Sequence, residues 1–143
     1  MHLKIKLNQN QQKEFDSWIS SIYTSAMEGG SYGSGYWCEI LKYHWNEKDD
    51  RDFKSVIRVD EEYQDDKDKR IAKRRKYTIN RDTIIRGVKR VASGKMKVAD
   101  SYVSACVSLL TTGDGDFDGD RADVIVQAGL FNEVIFEIGR AHV

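Results

Sequence analysis

Charge of one sign is missing from this 143-residue chain, in which 23 Lys and Arg balance 23 Asp and Glu. Without a global positive field, nonspecific binding to duplex nucleic acid has no driving force, and electrostatic recognition has to rest on local patches. Long apolar runs are missing too. No stretch approaches the roughly 20 residues needed to cross a bilayer, and the first residues lack the basic-then-apolar pattern of a secretory signal, so we expect a cytoplasmic protein without a membrane partner. Cysteine and histidine are sparse. Cys38 and Cys106 stand far apart without CxxC spacing, and His2, His44 and His142 are scattered. Two buried thiols is the simplest reading, and no metal site is expected. There is also no Walker sequence, no GxSxG, no HExxH and no Ser/His/Asp grouping. No nucleophile or base can be named, which points to a protein that works by binding, without catalysis or a cofactor.

What is present describes one α+β domain over residues 1–136, with an N-terminal helix, a small antiparallel sheet and C-terminal helices. After a short strand expected at Leu3 to Leu7, the spacing of Phe15, Trp18, Ile19, Ile22, Tyr23 and Ala26 predicts a helix with one apolar face. Gly29 and Gly30 end it, and a Gly/Ser/Tyr loop follows. Tyr36 to Trp45 and Lys54 to Tyr63, rich in aromatic and β-branched residues, read as two strands of an antiparallel hairpin. Gln64 to Lys76 is almost wholly charged and reads as a protruding loop. A brief strand, Tyr77 to Ile79, leads to a helix over Thr83 to Ala92, and a third helix carries Val98, Tyr102, Val103, Cys106, Leu109 and Leu110. A last helix over Arg121 to Phe131 precedes a strand expected at Glu133 to Phe136. Residues 137–143 look like a translated sequencing adaptor, and we expect them to be a non-native tail.

Three local patterns bear on chemistry. Asp114, Asp116, Asp118 and Gly119 occupy positions one, three, five and six of an EF-hand loop, but position twelve is Ile125 where a bidentate carboxylate is needed. A solvated loop capping the next helix through Asp118 or Asp120 accounts for them better. Arg121 at that helix start suits a phosphate, but an exposed ion pair with Asp118 or Asp123 accounts for the spacing better. Gly29 and Gly30 followed by Tyr36 and Trp37 combine close backbone approach with ring faces for stacking a base, although a turn beside core aromatics explains the same residues.

Two segments carry a resemblance: Ala26-Met27-Glu28-Gly29-Gly30 with Tyr36-Trp37, and the run from Ala122 to Phe136, with the helix Thr83 to Ala92 and its Gly87 fitting between them. Together they resemble the Thoeris anti-defence protein one family, phage sponges that sequester cyclic nucleotide alarm signals. The resemblance implies a homo-oligomer, a dimer or a hexamer, that encloses glycocyclic ADP-ribose or cyclic di- or trinucleotides without cleaving them. It implies that Gly29, Gly30, Tyr36 and Trp37 line the pocket and that Arg58 and Arg121 neutralise phosphates. Asp123 and Gln127 would meet a ribose or base edge, and Ile84 would stand where relatives carry a stacking aromatic. Val124 replaces a residue that is often basic in the family, with Arg121 substituting from a turn earlier. A rival reading is a protein-interaction inhibitor of a host defence, anti-CRISPR-like, that uses the charged loops as its contact surface.

Overall fold

A computed structural model of the chain describes residues 6–64 and 70–136. Its elements run α1 (Gln9–Glu28), a single 3-10 turn (Gly30–Tyr32), β1 (Glu39–Trp45), β2 (Phe53–Gln64), β3 (Arg70–Asn80), α2 (Arg81–Ala92), α3 (Asp100–Thr112) and α4 (Gly119–Phe131). The strands form one antiparallel sheet in the order β1-β2-β3. The fold is α+β, as the alternation of helical and strand-like periodicities predicts. Among the described residues no helix is long and apolar enough to cross a membrane.

The starts of α1, α2 and α4 are capped by local side chains, whereas α3, preceded by Ala99, has no side-chain cap. Asn8 and Gln11 exchange side-chain-to-backbone hydrogen bonds in a capping box at α1, and Asn80 and Thr83 do the same at α2. Asp118 accepts the Arg121 N–H at 2.9 Å, so the expected carboxylate cap of α4 is in place. The core gathers Ile19, Ile22 and Tyr23 of α1, Ile57 and Ile79 of the sheet, Val88 of α2 and Ile125 of α4, all essentially without solvent exposure. Tyr23 joins α1 to the sheet, its ring 4.2 Å from that of Phe53 and its hydroxyl bonded to Ser55 Oγ at 2.5 Å and His44 O at 3.0 Å.

Helices α2 and α4 touch through reciprocal glycines. A Cβ at Gly87 would overlap the Ile125 carbonyl oxygen, and one at Gly129 would overlap that of Thr83. This backbone approach lets Arg86 Nε reach Gly129 O at 2.8 Å and Arg90 Nη1 reach Ala128 O at 2.8 Å. Two cations thus satisfy carbonyls at the negative end of the α4 dipole.

Three expectations are corrected. The charged stretch Gln64 to Lys76 is not a loop across its length: Arg70 onward belongs to β3, in register with β2 from Gln64↔Arg70 to Lys54↔Asn80, while 65–69 lie outside the described residues. Composition misled in part because Asp60 and Glu61 of β2 stand opposite Arg74 and Lys73 of β3. Asp60 stands opposite Arg74, with Oδ1 and Nε 3.5 Å apart, and such cross-strand pairs stabilise a ladder without an apolar face. Second, β1 begins at Glu39 because Ser34 to Trp37 form a turn, closed by Trp37 N–H to Ser34 O at 3.2 Å. Third, Glu133 to Phe136 pairs with no strand among the described residues; side chains hold it instead. The strand expected at Leu3 to Leu7 falls mostly outside the described residues, with Lys6 and Leu7 in neither helix nor strand, and the tail from 137 lies outside them altogether.

Candidate functional site

Asp123, on the second turn of α4, is buried at 5% exposure and is the centre of a polar network. Its Oδ1 accepts the Ser34 hydroxyl at 2.8 Å and the Trp37 indole N–H at 2.7 Å. Its Oδ2 accepts Tyr36 Oη at 2.6 Å and Gln127 Nε2 at 3.0 Å. The turn before β1 is therefore folded around one carboxylate that lies 86 to 89 residues away. Burial pushes the Asp123 carboxyl above the usual range, against the opposing pull of hydrogen bonds from Tyr36, Trp37, Ser34 and Gln127. The proton has a place to go. Tyr36 Oη also lies 2.9 Å from Phe136 O and has one proton for two acceptors. With Asp123 protonated, Oδ2 donates to Tyr36 and Tyr36 donates onward to Phe136 O, so every oxygen in the relay is satisfied.

Gln127, one turn further along α4 and fully buried, extends the network to the segment after the helix. Asn132 in a left-handed conformation (φ 60°) reverses the chain. Gln127 Oε1 then accepts the N–H groups of Ile135 (2.9 Å) and Phe136 (2.8 Å), while Nε2 donates to Phe136 O at 2.9 Å. The side chain reads the backbone of Ile135 and Phe136 as a neighbouring strand would, which explains how that segment is held without one. The Phe136 ring lies parallel to the Trp37 indole, 5.1 Å centroid to centroid and 3° apart.

Two open clefts flank this segment, and Tyr36 and Phe136 line both. One, of about 370 Å³, is bounded by Gly35, Tyr36, Trp37, Cys38, Glu39, Arg58 and Asp60. The other, of about 330 Å³, lies beside the start of α3 and includes Lys97, Val98, Tyr102, Asp120, Asp123 and Val124. Arg58 pairs closely with Glu39 across β1 and β2 and lies 3.9 Å from Asp60, while its Nε is a buried donor with no hydrogen-bond partner among the described residues. Burial and the nearby Asp123 charge lift the Cys38 thiol to about 12, and its Sγ donates to Ser34 O.

Of the residues expected at a site, Tyr36, Trp37 and Arg58 meet at the first cleft and Asp123 at the second. Gln127 stands behind them as the support of Phe136. The glycines divide. Gly29 and Gly30 serve the end of α1, where Gly30 adopts φ 56° and its carbonyl accepts the Gly35 N–H at 2.9 Å, and Gly35 is the glycine that borders a cleft. Ile84 is fully buried in the core and lines neither cleft. Arg121 pairs with Asp116, not with Asp118 or Asp123: Nη1 reaches Asp116 O at 2.5 Å and its carboxylate at 3.6 Å, and the guanidinium covers the Tyr102 ring at 5.5 Å. It lines neither cleft and meets the second through Tyr102 and its chain neighbour Asp120.

Ser34, Phe136, Lys97 and Tyr102 were not named as site residues in the sequence, although Phe136 closed the expected last strand and Tyr102 belonged to the apolar positions of the third helix. Among the described residues no group of three or more His, Cys, Asp or Glu side chains is arranged to hold a metal ion. Compared with protein-family models, curated proteins and solved structures, the chain matches none.

Proposed function

We propose that this chain is a phage anti-defence protein that binds cyclic nucleotide immune signals, glycocyclic ADP-ribose or cyclic di- and trinucleotides, and sequesters them intact in the cytoplasm of an infected bacterium. The observation that carries the reading is the cleft in which Arg58 of β2 meets Gly35, Tyr36 and Trp37 of the turn before β1. The Trp37 indole is buried against Phe136, which leaves the Tyr36 ring as the one for a base. Ring faces suit a base, and an arginine suits a phosphate by forked hydrogen bonding. Glu39, now paired with Arg58, has a side chain 60% exposed, so a phosphate displaces it at little cost, exposed pairs being worth about 0–1 kcal/mol. Catalysis is not part of the proposal. A homo-oligomer, dimer or hexamer, is.

Titration calorimetry with glycocyclic ADP-ribose isomers and cyclic oligonucleotides tests binding, and heating the complex tests whether the guest returns unchanged. Recovery of an altered product would replace sequestration with turnover. Mass photometry of the free and loaded protein checks the assembly, and a monomer in both states would remove that part of the reading.

A second reading rests on a different observation. Beyond Arg58, the last β2 position paired with β1, the rest of β2 and the facing part of β3 pair only with each other among the described residues. This charged two-stranded ribbon is a contact surface for a protein-interaction inhibitor of host defence. Shortening it beyond the Asp60–Arg74 pair discriminates: loss of inhibition with guest binding retained favours the inhibitor.

A further inference from the structure

The cleft beside α3 takes only Tyr36 and Asp123 from the site read from the sequence, and it shares its Tyr36–Phe136 wall with the cleft that holds Arg58. Each cleft alone, at about 330 and 370 Å³, is at the small end of the roughly 300–1,000 Å³ usual for small-molecule sites. Their linings are chemically alike in outline. Each offers aromatic or apolar walls and one cation beside carboxylates: Arg58 with the exposed Glu39 and Asp60 in one, Lys97 with the exposed Asp120 and the buried Asp123 in the other. In the second cleft Val98 and Val124 provide an apolar wall, and Tyr102 is held in place by the Arg121 guanidinium over its ring. An ammonium beside such a wall suits a phosphate attached to a base, and a nearby carboxylate suits ribose hydroxyls.

Resting on the sequestration reading, we infer that the α3 cleft is a second subsite of the same binding site. It takes the distal nucleoside-phosphate half of a two-headed guest, with Lys97 contacting that half's phosphate. The guest crosses at the shared wall, so that Arg58 and Lys97 engage opposite ends of it.

Two probes separate the subsites in the full chain: AMP, with one base and one phosphate, and cyclic di-AMP, with two of each. Lys97 is exposed, so Lys97→Glu leaves the core untouched, and circular dichroism checks the fold. The expected result is that Lys97→Glu weakens cyclic di-AMP by at least about tenfold while AMP changes by less than about twofold, and that Arg58→Ala weakens both. Unchanged cyclic di-AMP affinity in Lys97→Glu, or an equal loss for AMP, overturns the second subsite and leaves sequestration standing. Failure of the unaltered chain to bind any of the cyclic nucleotides overturns sequestration itself, and the subsite with it.

Discussion

The indole N–H of Trp37 donates to the Asp123 carboxylate at 2.7 Å, joining the turn before β1 to the second turn of α4 across 86 residues of sequence. Asp123→Ala removes the acceptor shared by Trp37, Ser34 and Gln127, and each buried donor left without a partner costs about 1–3 kcal/mol. We expect a loss of about 3 kcal/mol or more in urea unfolding, with Trp37 fluorescence reporting the change. A loss below 1 kcal/mol would mean that water replaces the carboxylate freely.

Acidity provides a second measurement on the same group. Because the folded-state value for Asp123 is raised, the native protein holds this proton more tightly than the unfolded chain. Its contribution to stability is complete below the unfolded value of about 3.9 and is lost as pH rises through the higher folded value. The stability of the wild type minus that of Asp123→Asn, measured from pH 3.5 to 7, is therefore expected to fall with rising pH. A difference that grows with pH would show that the network favours the anion.

The reciprocal glycines predict a steric effect. Gly87→Ala and Gly129→Ala each push a methyl group into a facing backbone carbonyl, and overpacking of this kind costs about 1–3 kcal/mol. The double variant is expected to fall short of the sum of the two, since the first alanine already separates α2 from α4 and makes room for the second. Thermal unfolding of the three variants checks this. Full additivity would indicate that each helix yields locally.

Much of the fold was legible because local chemistry determined it. The apolar stripe of α1, the cap at Asp118 and the glycine at the end of α1 are written within a few residues of where they act. The ribbon was not, since nothing inside Arg70 to Lys76 shows that acidic partners lie across the hairpin; pairing, not composition, makes it a strand. The same holds at the site. Tyr36, Trp37 and Asp123 were visible as aromatic and charged candidates, but that they bond to one another follows only from how α4 packs near the turn. Lys97 carries no signal of its own, being one of two lysines, with Lys95, just before a helix start.

The two arginines expected to serve a guest now differ in their surroundings. Arg58 borders a cleft and is paired there with the exposed Glu39 and Asp60, whereas Arg121 is engaged by Asp116 and Tyr102 and lines neither cleft. Arg58→Ala is expected to cost about 2–5 kcal/mol of binding free energy for a cyclic nucleotide. Arg121→Ala should cost less, acting through the placement of Tyr102. Calorimetry on both variants decides the order, and the reverse ranking would move the phosphate site to the start of α4.

Gln127 grips backbone only eight and nine residues ahead of it. Local loops of about ten residues close in roughly 10–100 ns, so once released this stretch re-docks by a short diffusive search that involves no distant part of the chain. Arrival of a guest, which is limited by bimolecular encounter at micromolar concentrations, is far slower than that. Capture kinetics should therefore scale linearly with guest concentration, with no plateau imposed by the protein's own rearrangement.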